Sequence, residues 1–502
     1  MSLGAPADSA VGPRVLIIGA GASGLAMAAK LIAAGFANIA IYEKADEVGG
    51  TWRENTYPGV RCDVPSRLYS FSFAPSPDWS QTYAAGPEIQ AYLLRVADEL
   101  DLRRRIRFGK AVDSCRWNGT QWELSCQDGT RDVGDVVVAA TGILHHPKRP
   151  AIPGLETFAG PVLHTAQWDH AVDLTGQRVA VVGTGSSGVQ VTTALAEVAG
   201  HVSVLQRTPQ WVLPLPNFRT HRTSRWLRRR FPGIDRLSQR AASWLLEHTL
   251  GAAVIERDWR LRLVNLAVRA NLRFGVRDPE LRAKLRPPDL PMCRRLIMSP
   301  SYYKTLQRPH VSVEVDPIEH VSPTGIRCGG RDLDVDAIVL ATGFEAHRYF
   351  RPMRLTGENG LDIEDVWRSA PFAHKTVALP GFPGFFMLVG PHSPVGNHSV
   401  IAVAETQADY IVAWIQGVAA GRWPVASPSA AATSAFNEEL RAALPDTIWM
   451  TGCAGWYLGA DGLPELYPWS AEHHRRLLSA VEPADVEARP RRDRRELEPA
   501  HS

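Results

Sequence analysis

Two glycine-rich stretches recur along the 502-residue chain, RVLIIGAGASGLA at 14–26 and RVAVVGTGSSGVQ at 178–190. Each runs from an apolar segment through G-x-G-x-x-G into a helical pattern, with Gly19, Gly21 and Gly24 in the first and Gly183, Gly185 and Gly188 in the second. That layout sets the pyrophosphate of a dinucleotide against a helix N-terminus. Thr184, Ser186 and Ser187 lie inside the second loop and join its nucleotide-binding set. The strand pattern after each loop closes on a charge of opposite sign at the same spacing: Glu43 ends IAIYE, and Arg207 ends HVSVLQR. A carboxylate in this position accepts hydrogen bonds from ribose hydroxyls. A guanidinium instead holds a 2′-phosphate through paired, charge-assisted hydrogen bonds, and Thr208 adds a hydroxyl. The spacing therefore predicts a non-phosphorylated dinucleotide, best met by FAD, at the first loop and NADPH at the second, with hydride passing between them.

Positioning two such loops requires two parallel sheets. Strand patterns fall into two sets, one before about residue 145 and after about residue 331, the other from 178 to about 315. The expected fold is α/β with two Rossmann-like dinucleotide-binding domains, the NADPH domain (151–330) inserted in an FAD domain split into 14–150 and 331–480. DVVVAATG at 135–142 and DAIVLATG at 336–343 mark the expected crossings. Residues 221–286 break the alternation as a helical insertion rich in arginine, including RWLRRR at 225–230. Such a charge run reads as a solvated helix face rather than a membrane-surface helix. Residues 1–13 and 481–502 are polar and rich in Pro, Ala and charge, and are expected to be disordered ends.

A net charge of +3 gives no reason to expect nucleic acid or an anionic membrane as partner, so small metabolites are favoured. No apolar run of about 18 residues exists to span a bilayer, and the first 13 residues lack the pattern of a signal peptide. Cys62, Cys115, Cys126, Cys293, Cys328 and Cys453 show neither C-x-x-C, zinc-like spacing nor the density of a disulfide framework, which fits a reducing cytoplasm and no metal site. Without a dithiol near the flavin, oxygen becomes the leading electron acceptor. His145-His146 and His473-His474 read as isolated pairs in polar surroundings.

FAGPVLHTAQWD at 158–169 fits F-x-G-x-x-x-H-x-x-x-W-[PD], through Phe158, Gly160, His164, Trp168 and Asp169, and GGTWRENTYPGVRCD at 49–63 fits G-G-x-W-x-x-x-x-Y-P-G-x-x-x-D. In both motifs the chain resembles the type I Baeyer-Villiger monooxygenases, over roughly residues 14–480. The resemblance implies an FAD- and NADPH-dependent enzyme that inserts one oxygen atom of O2 into a ketone through a C4a-peroxyflavin, giving an ester or lactone. It places Gly50, Thr51, Trp52 and Asp63 beside the flavin. In CRRLIMSPSYYKTLQRPHV at 293–311 it makes Arg295 the active-site cation, which Asp63 would orient. Arg294 stands where the family usually has a lysine for the NADPH phosphate, and Trp456 matches a tryptophan near the nicotinamide. The helix expected after GPHSPVGNHSV (390–400), to about Val418, would aim its N-terminus at the flavin's pyrimidine edge. Taken alone, His164 reads as a packed or hinge histidine. Oxygenation of sulfides or amines on the same fold, and an NADPH-oxidising redox sensor, are the alternatives. Neither the ketone nor the oligomeric state follows from these motifs.

Overall fold

The computed structural model describes residues 12–394, 398–453, 455, 457–459 and 461–490. Short runs rich in β-branched and aliphatic residues, mostly buried, make two five-stranded sheets. In the first, all strands parallel, the order is Phe385–Met387, Val136–Ala139, Val15–Ile18, Ile39–Tyr42 and Ile106–Arg107. In the second, also parallel, it is Val311–Glu314, His201–Leu205, Arg178–Val182, Ala337–Leu340 and Val162–His164. Stretches such as VLII and VVVA are buried at every position, as strands covered on both faces must be.

Each sheet also carries an antiparallel meander. Val112–Trp117, Trp122–Cys126 and Arg131–Gly134 precede Val136–Ala139, while Ile318–Ser322, Gly325–Cys328 and Arg331–Asp334 precede Ala337–Leu340. The two near-identical strands are therefore ends of equivalent units. One expected boundary moves as a result. Ala337–Leu340 pairs with Arg178–Val182 and Val162–His164, so it completes the inner sheet instead of opening the second part of the outer domain at 331. Pattern alone could not separate the two, because either sheet buries the strand equally.

The crossings run side by side. Lys148 donates its amide to the Gly343 carbonyl at 2.9 Å, and Pro147 bridges Phe344. His164 sits here, 1% exposed: its Nδ1 accepts from the Ala166 amide at 3.0 Å and its Nε2 lies 3.3 Å from the Thr342 hydroxyl. It packs at the junction of the domains.

The tail departs from expectation. Val486–Arg489 pairs antiparallel with Val425–Pro428, and Asp485 meets Lys375 at 2.7 Å, so residues 481–490 are held by backbone hydrogen bonds that a polar composition does not reveal. Residues 1–11 and 491–502 lie outside the described residues. The arginine-rich insertion is helical, over Arg222–Arg230, Pro232–Leu246, Trp259–Gly275 and Pro279–Lys284.

Candidate active site

The helices Ala22–Ala33 and Ser186–Leu195 begin at the glycine loops, and both loops open on one cavity of about 1790 Å³. A typical ligand pocket measures about 300–1,000 Å³, so the space accommodates more than one ligand. The third glycine of each loop brings helix and strand together: a Cβ on Gly24 would lie 1.9 Å from the Gly19 carbonyl oxygen, and one on Gly188 2.1 Å from that of Gly183. Gly24 and Gly188 stay behind the wall. Gly19, Gly21, Glu43, Gly50, Thr51, Trp52 and Asp63 line the cavity from the outer domain, and Gly183, Thr184, Gly185, Ser186, Ser187, Arg207, Thr208, Arg294 and Arg295 line it from the inner domain. Trp456 lies outside the described residues.

The outer loop's acid does double work. Glu43 is 5% exposed, and it accepts the amides of Ala20 at 2.7 Å and Ala45 at 3.0 Å while reaching the cavity wall. Arg207 is exposed and makes no ion pair among the described residues. Thr184 donates to the Thr208 carbonyl at 2.9 Å, tying the inner loop to the segment that carries Arg207. Both cradles thus fit a dinucleotide: the glycines leave room for it, and an acid lines the cavity with the first loop and a cation with the second.

Arg295 meets Asp63 side-on, Nε to Oδ2 and Nη2 to Oδ1, both at 2.6 Å. The arginine side chain is 42% exposed, and what it is exposed to is the cavity it lines. Burial pushes the Asp63 carboxyl up, but the charge and hydrogen bonds of Arg295 outweigh it and hold the group below the usual carboxylate range. The Asp63 charge raises Arg295 in turn, so the guanidinium stays charged. Two parts of the chain 232 residues apart thereby place a fixed cation in the shared space.

The family model for flavin-binding monooxygenase-like proteins matches residues 12–278. The chain belongs to this family. Its monooxygenase relatives span nearly all of it: an uncharacterised monooxygenase of Mycobacterium tuberculosis is 50% identical over 478 residues, covering 95% of this chain and 96% of that one. A Baeyer-Villiger monooxygenase of Streptomyces coelicolor is 37% identical, covering 94% and 92% respectively. Among solved structures, cyclohexanone monooxygenase from Rhodococcus sp. Phi1 bound to NADP+ superposes with a TM-score of 0.84 at 29% identity, over 95% of this chain and 99% of that one. OTEMO in complex with FAD and NADP gives 0.85 at 27% identity, over 95% and 99%. The chain is a monooxygenase of the Baeyer-Villiger type.

Several side chains of this monooxygenase escaped the sequence reading. Tyr57, the tyrosine of the G-G-x-W-x-x-x-x-Y-P-G motif, donates to Gln190 at 2.9 Å and lies 3.2 Å from Ser187, so the outer Y-P-G turn latches the inner loop's helix. Gln190 answers by donating to the Arg61 carbonyl at 3.1 Å. A Cβ on Gly59 would meet the Gln190 carbonyl oxygen at 2.8 Å, which explains the glycine of that turn. Burial pushes the Tyr57 phenol up to about 12. Tyr457, beside the expected tryptophan, hydrogen-bonds Arg295, and burial raises its phenol to about 12 as well. Its signal was only its neighbour.

Arg294 lines the cavity, where it pairs with Asp289 at 2.9 Å. Two expectations need correction. Cys293 and Cys453 form a disulfide, with Cα atoms 6.0 Å apart, that ties the Arg294-Arg295 segment to the loop of Tyr457. Spacing gave no hint, since folding alone closes a separation of 160 residues. The histidine pairs are not isolated: His145 meets Glu54 at 3.0 Å on the cavity wall, and His474 is buried against Tyr467 with ring centroids 5.0 Å apart.

The helix Val400–Ala419 follows the expected span, and Pro394, His398 and Val400 line the cavity near its start. No helix among the described residues is long and apolar enough to cross a membrane.

Proposed function

We propose that this chain converts a ketone, O2, NADPH and a proton into an ester or lactone, NADP+ and water. Its cofactors are FAD and NADPH. Gly19, Gly21 and Glu43 would hold the flavin nucleotide, with Gly50, Thr51, Trp52 and Asp63 along the path to its ring. Gly183, Gly185, Ser186 and Ser187 would hold NADPH, its 2′-phosphate at Arg207 and Thr208, with Arg294 adding charge once it shares Asp289. Trp456 is assigned to the nicotinamide by its motif alone. Reduced by NADPH, the bound flavin supplies the activated oxygen.

The observation that carries this reading is the Arg295–Asp63 pair on the wall of the cavity both loops share. Asp63 engages Nε and Nη2, which fixes the plane of the guanidinium and leaves further N–H groups to donate. Those donors stabilise negative charge on the attacking oxygen and on the substrate oxygen as the carbonyl becomes tetrahedral. Asp63 orients the cation and tempers its field. Tyr57 and Tyr69, half-buried or buried along the same wall, help to keep water from the site. The proposed location is cytoplasmic, where NADPH is supplied. Incubation with NADPH and a panel of cyclic, linear, aryl and steroid ketones, followed by mass spectrometry, should yield an ester or lactone from at least one. Oxides from sulfides or amines, with every ketone recovered intact, would place the enzyme among the heteroatom oxygenases instead.

A further inference from the structure

Two helices of the insertion each carry an apolar stripe that faces outward. On Pro232–Leu246 Asp235 and Gln239 face the body: Arg67 donates to the Asp235 carbonyl at 3.0 Å, and Gln239 donates to the Arg67 carbonyl. Ile234, Leu237, Trp244 and Leu245 stand on the other side, with Leu237 68% and Trp244 60% exposed. Their spacing gathers them on one stripe of the helix. Trp259–Gly275 buries Val264, Val268 and Leu272, yet it exposes a second stripe of Trp259, Leu263, Leu266 and Phe274, the last 78% exposed. A helix face meant for water is polar, and scattered apolar residues do not align in stripes.

Cations accompany the stripes. Sixteen Lys and Arg against six Asp and Glu lie between Arg222 and Arg286, in a chain whose net charge is only +3. Arg222, Arg236, Arg240, Arg262 and Arg273 are exposed and make no ion pair among the described residues. Aromatic and aliphatic side chains backed by unpaired arginines match the two layers of a bilayer interface, acyl chains below anionic headgroups.

We propose that this face docks on an anionic phospholipid bilayer and lies in the interface without crossing it. This reverses the solvated-face reading of the same segment, which weighed its charges but had no view of which side chains face outward. Docking has a use in the fold. Under Pro232–Leu246 lies a second cavity of about 400 Å³, lined by Ala242, Leu245 and Leu246 from the helix and by Pro65 and Leu68 from the body. Asp63, Val64 and Tyr69, from the same stretch of chain as Pro65 and Leu68, line the main cavity. One short segment therefore separates the docked face from the Arg295–Asp63 site. The substrate class that follows is a lipophilic ketone drawn from the bilayer, and this part rests on the oxygenation proposed above.

The test is sedimentation of the FAD-loaded enzyme with vesicles of phosphatidylglycerol and phosphatidylcholine. Native enzyme should bind them more tightly than vesicles of phosphatidylcholine alone. Binding should fall about tenfold in Leu237→Asp/Trp244→Asp and in Arg236→Glu/Arg240→Glu, with flavin content and basal NADPH oxidation unchanged. Equal binding to both vesicles, or undiminished binding by the variants, overturns the proposal. So does light scattering that shows a native dimer which Leu237→Asp/Trp244→Asp converts to a monomer, because a second copy would then cover the face. Oxidation of a long-chain ketone dissolved in the vesicles should slow in both variants while that of a short, water-soluble ketone does not. If the native enzyme oxygenates neither ketone, the Baeyer-Villiger reading fails while the vesicle result stands by itself.

Discussion

The two glycine loops share a backbone, and the strands that follow them end on opposite charges. Gly19 and Gly183 adopt φ of +104° and +110°, and the helices that follow start from Gly21 and Gly185 with nearly the same dihedral angles. The close approaches at Gly24 and Gly188 agree within 0.2 Å. At the end of the next strand they part. Glu43 is buried and bonded to its own loop, whereas Arg207 stands exposed and makes no ion pair among the described residues. In the proposed reading, glycine packing makes the nucleotide site and the residue at the strand end selects what it holds. The acid has also become part of the scaffold, and the arginine has not.

The harshest way to probe this likeness is to block each loop in turn. Gly24→Ala drives a Cβ into the Gly19 carbonyl, an overpacking worth about 1–3 kcal/mol or more, and should yield colourless, inactive protein. Gly188→Ala should stay yellow yet resist reduction by NADPH. Absorbance of the purified variants, then anaerobic addition of NADPH, checks both; loss of flavin from Gly188→Ala would mean the loops do not hold separate ligands. Arg295 belongs to neither loop, so Arg295→Ala should keep its flavin while product formation falls by on the order of 10²–10³-fold, the usual effect of removing one such stabiliser. Ester formation at the parent rate would refute its assignment.

The contrast between Glu43 and Arg207 sharpens with milder changes. Arg207→Ala should raise the KM for NADPH by roughly ten- to a hundredfold, from about 1.5–3 kcal/mol of lost charged contact, and leave NADH use and thermal stability unchanged. Glu43→Ala should lower the melting temperature as well as flavin retention, because one buried and one half-buried amide lose their acceptor. Equal stability of the two variants would erase the distinction. The smallest effect is on pH dependence. The folded carboxyl of Asp63 lies below its unfolded value, so its pair with Arg295 contributes fully above the unfolded value of about 4 and loses its contribution as pH falls through the lowered folded value. Denaturant unfolding of Asp63→Asn should therefore show a shallower loss of stability than the parent in that acid range, with parallel curves near neutrality.

Much of this was written in local pattern. The loops, Glu43, Arg207 and the strand VLII are legible because each depends on neighbours within one βαβ unit, where a period, a glycine or a charge acts at short range. Ala337–Leu340 was misassigned because a strand buried on both faces carries no mark of which sheet buries it. The ordered stretch Val486–Arg489 was missed because backbone hydrogen bonds hold it, and these are indifferent to side-chain polarity. The outward apolar stripes of the insertion were invisible for a related reason: periodicity shows that a helix has an apolar side, but not which side the body takes.

By itself the sequence determined two nucleotide-binding units, the sign of the charge that ends each, and, through long motifs, the type of oxygenase to expect. Only the tertiary structure decided that both units open on one cavity, that the expected partners Asp63 and Arg295 engage side-on at 2.6 Å on its wall, that Tyr57 latches one unit to the other, and that Cys293 reaches Cys453. Contacts within a unit follow from chain geometry over a few residues. Contacts between units depend on how two finished sheets pack, and that packing is shared among many side chains, none of which encodes it alone.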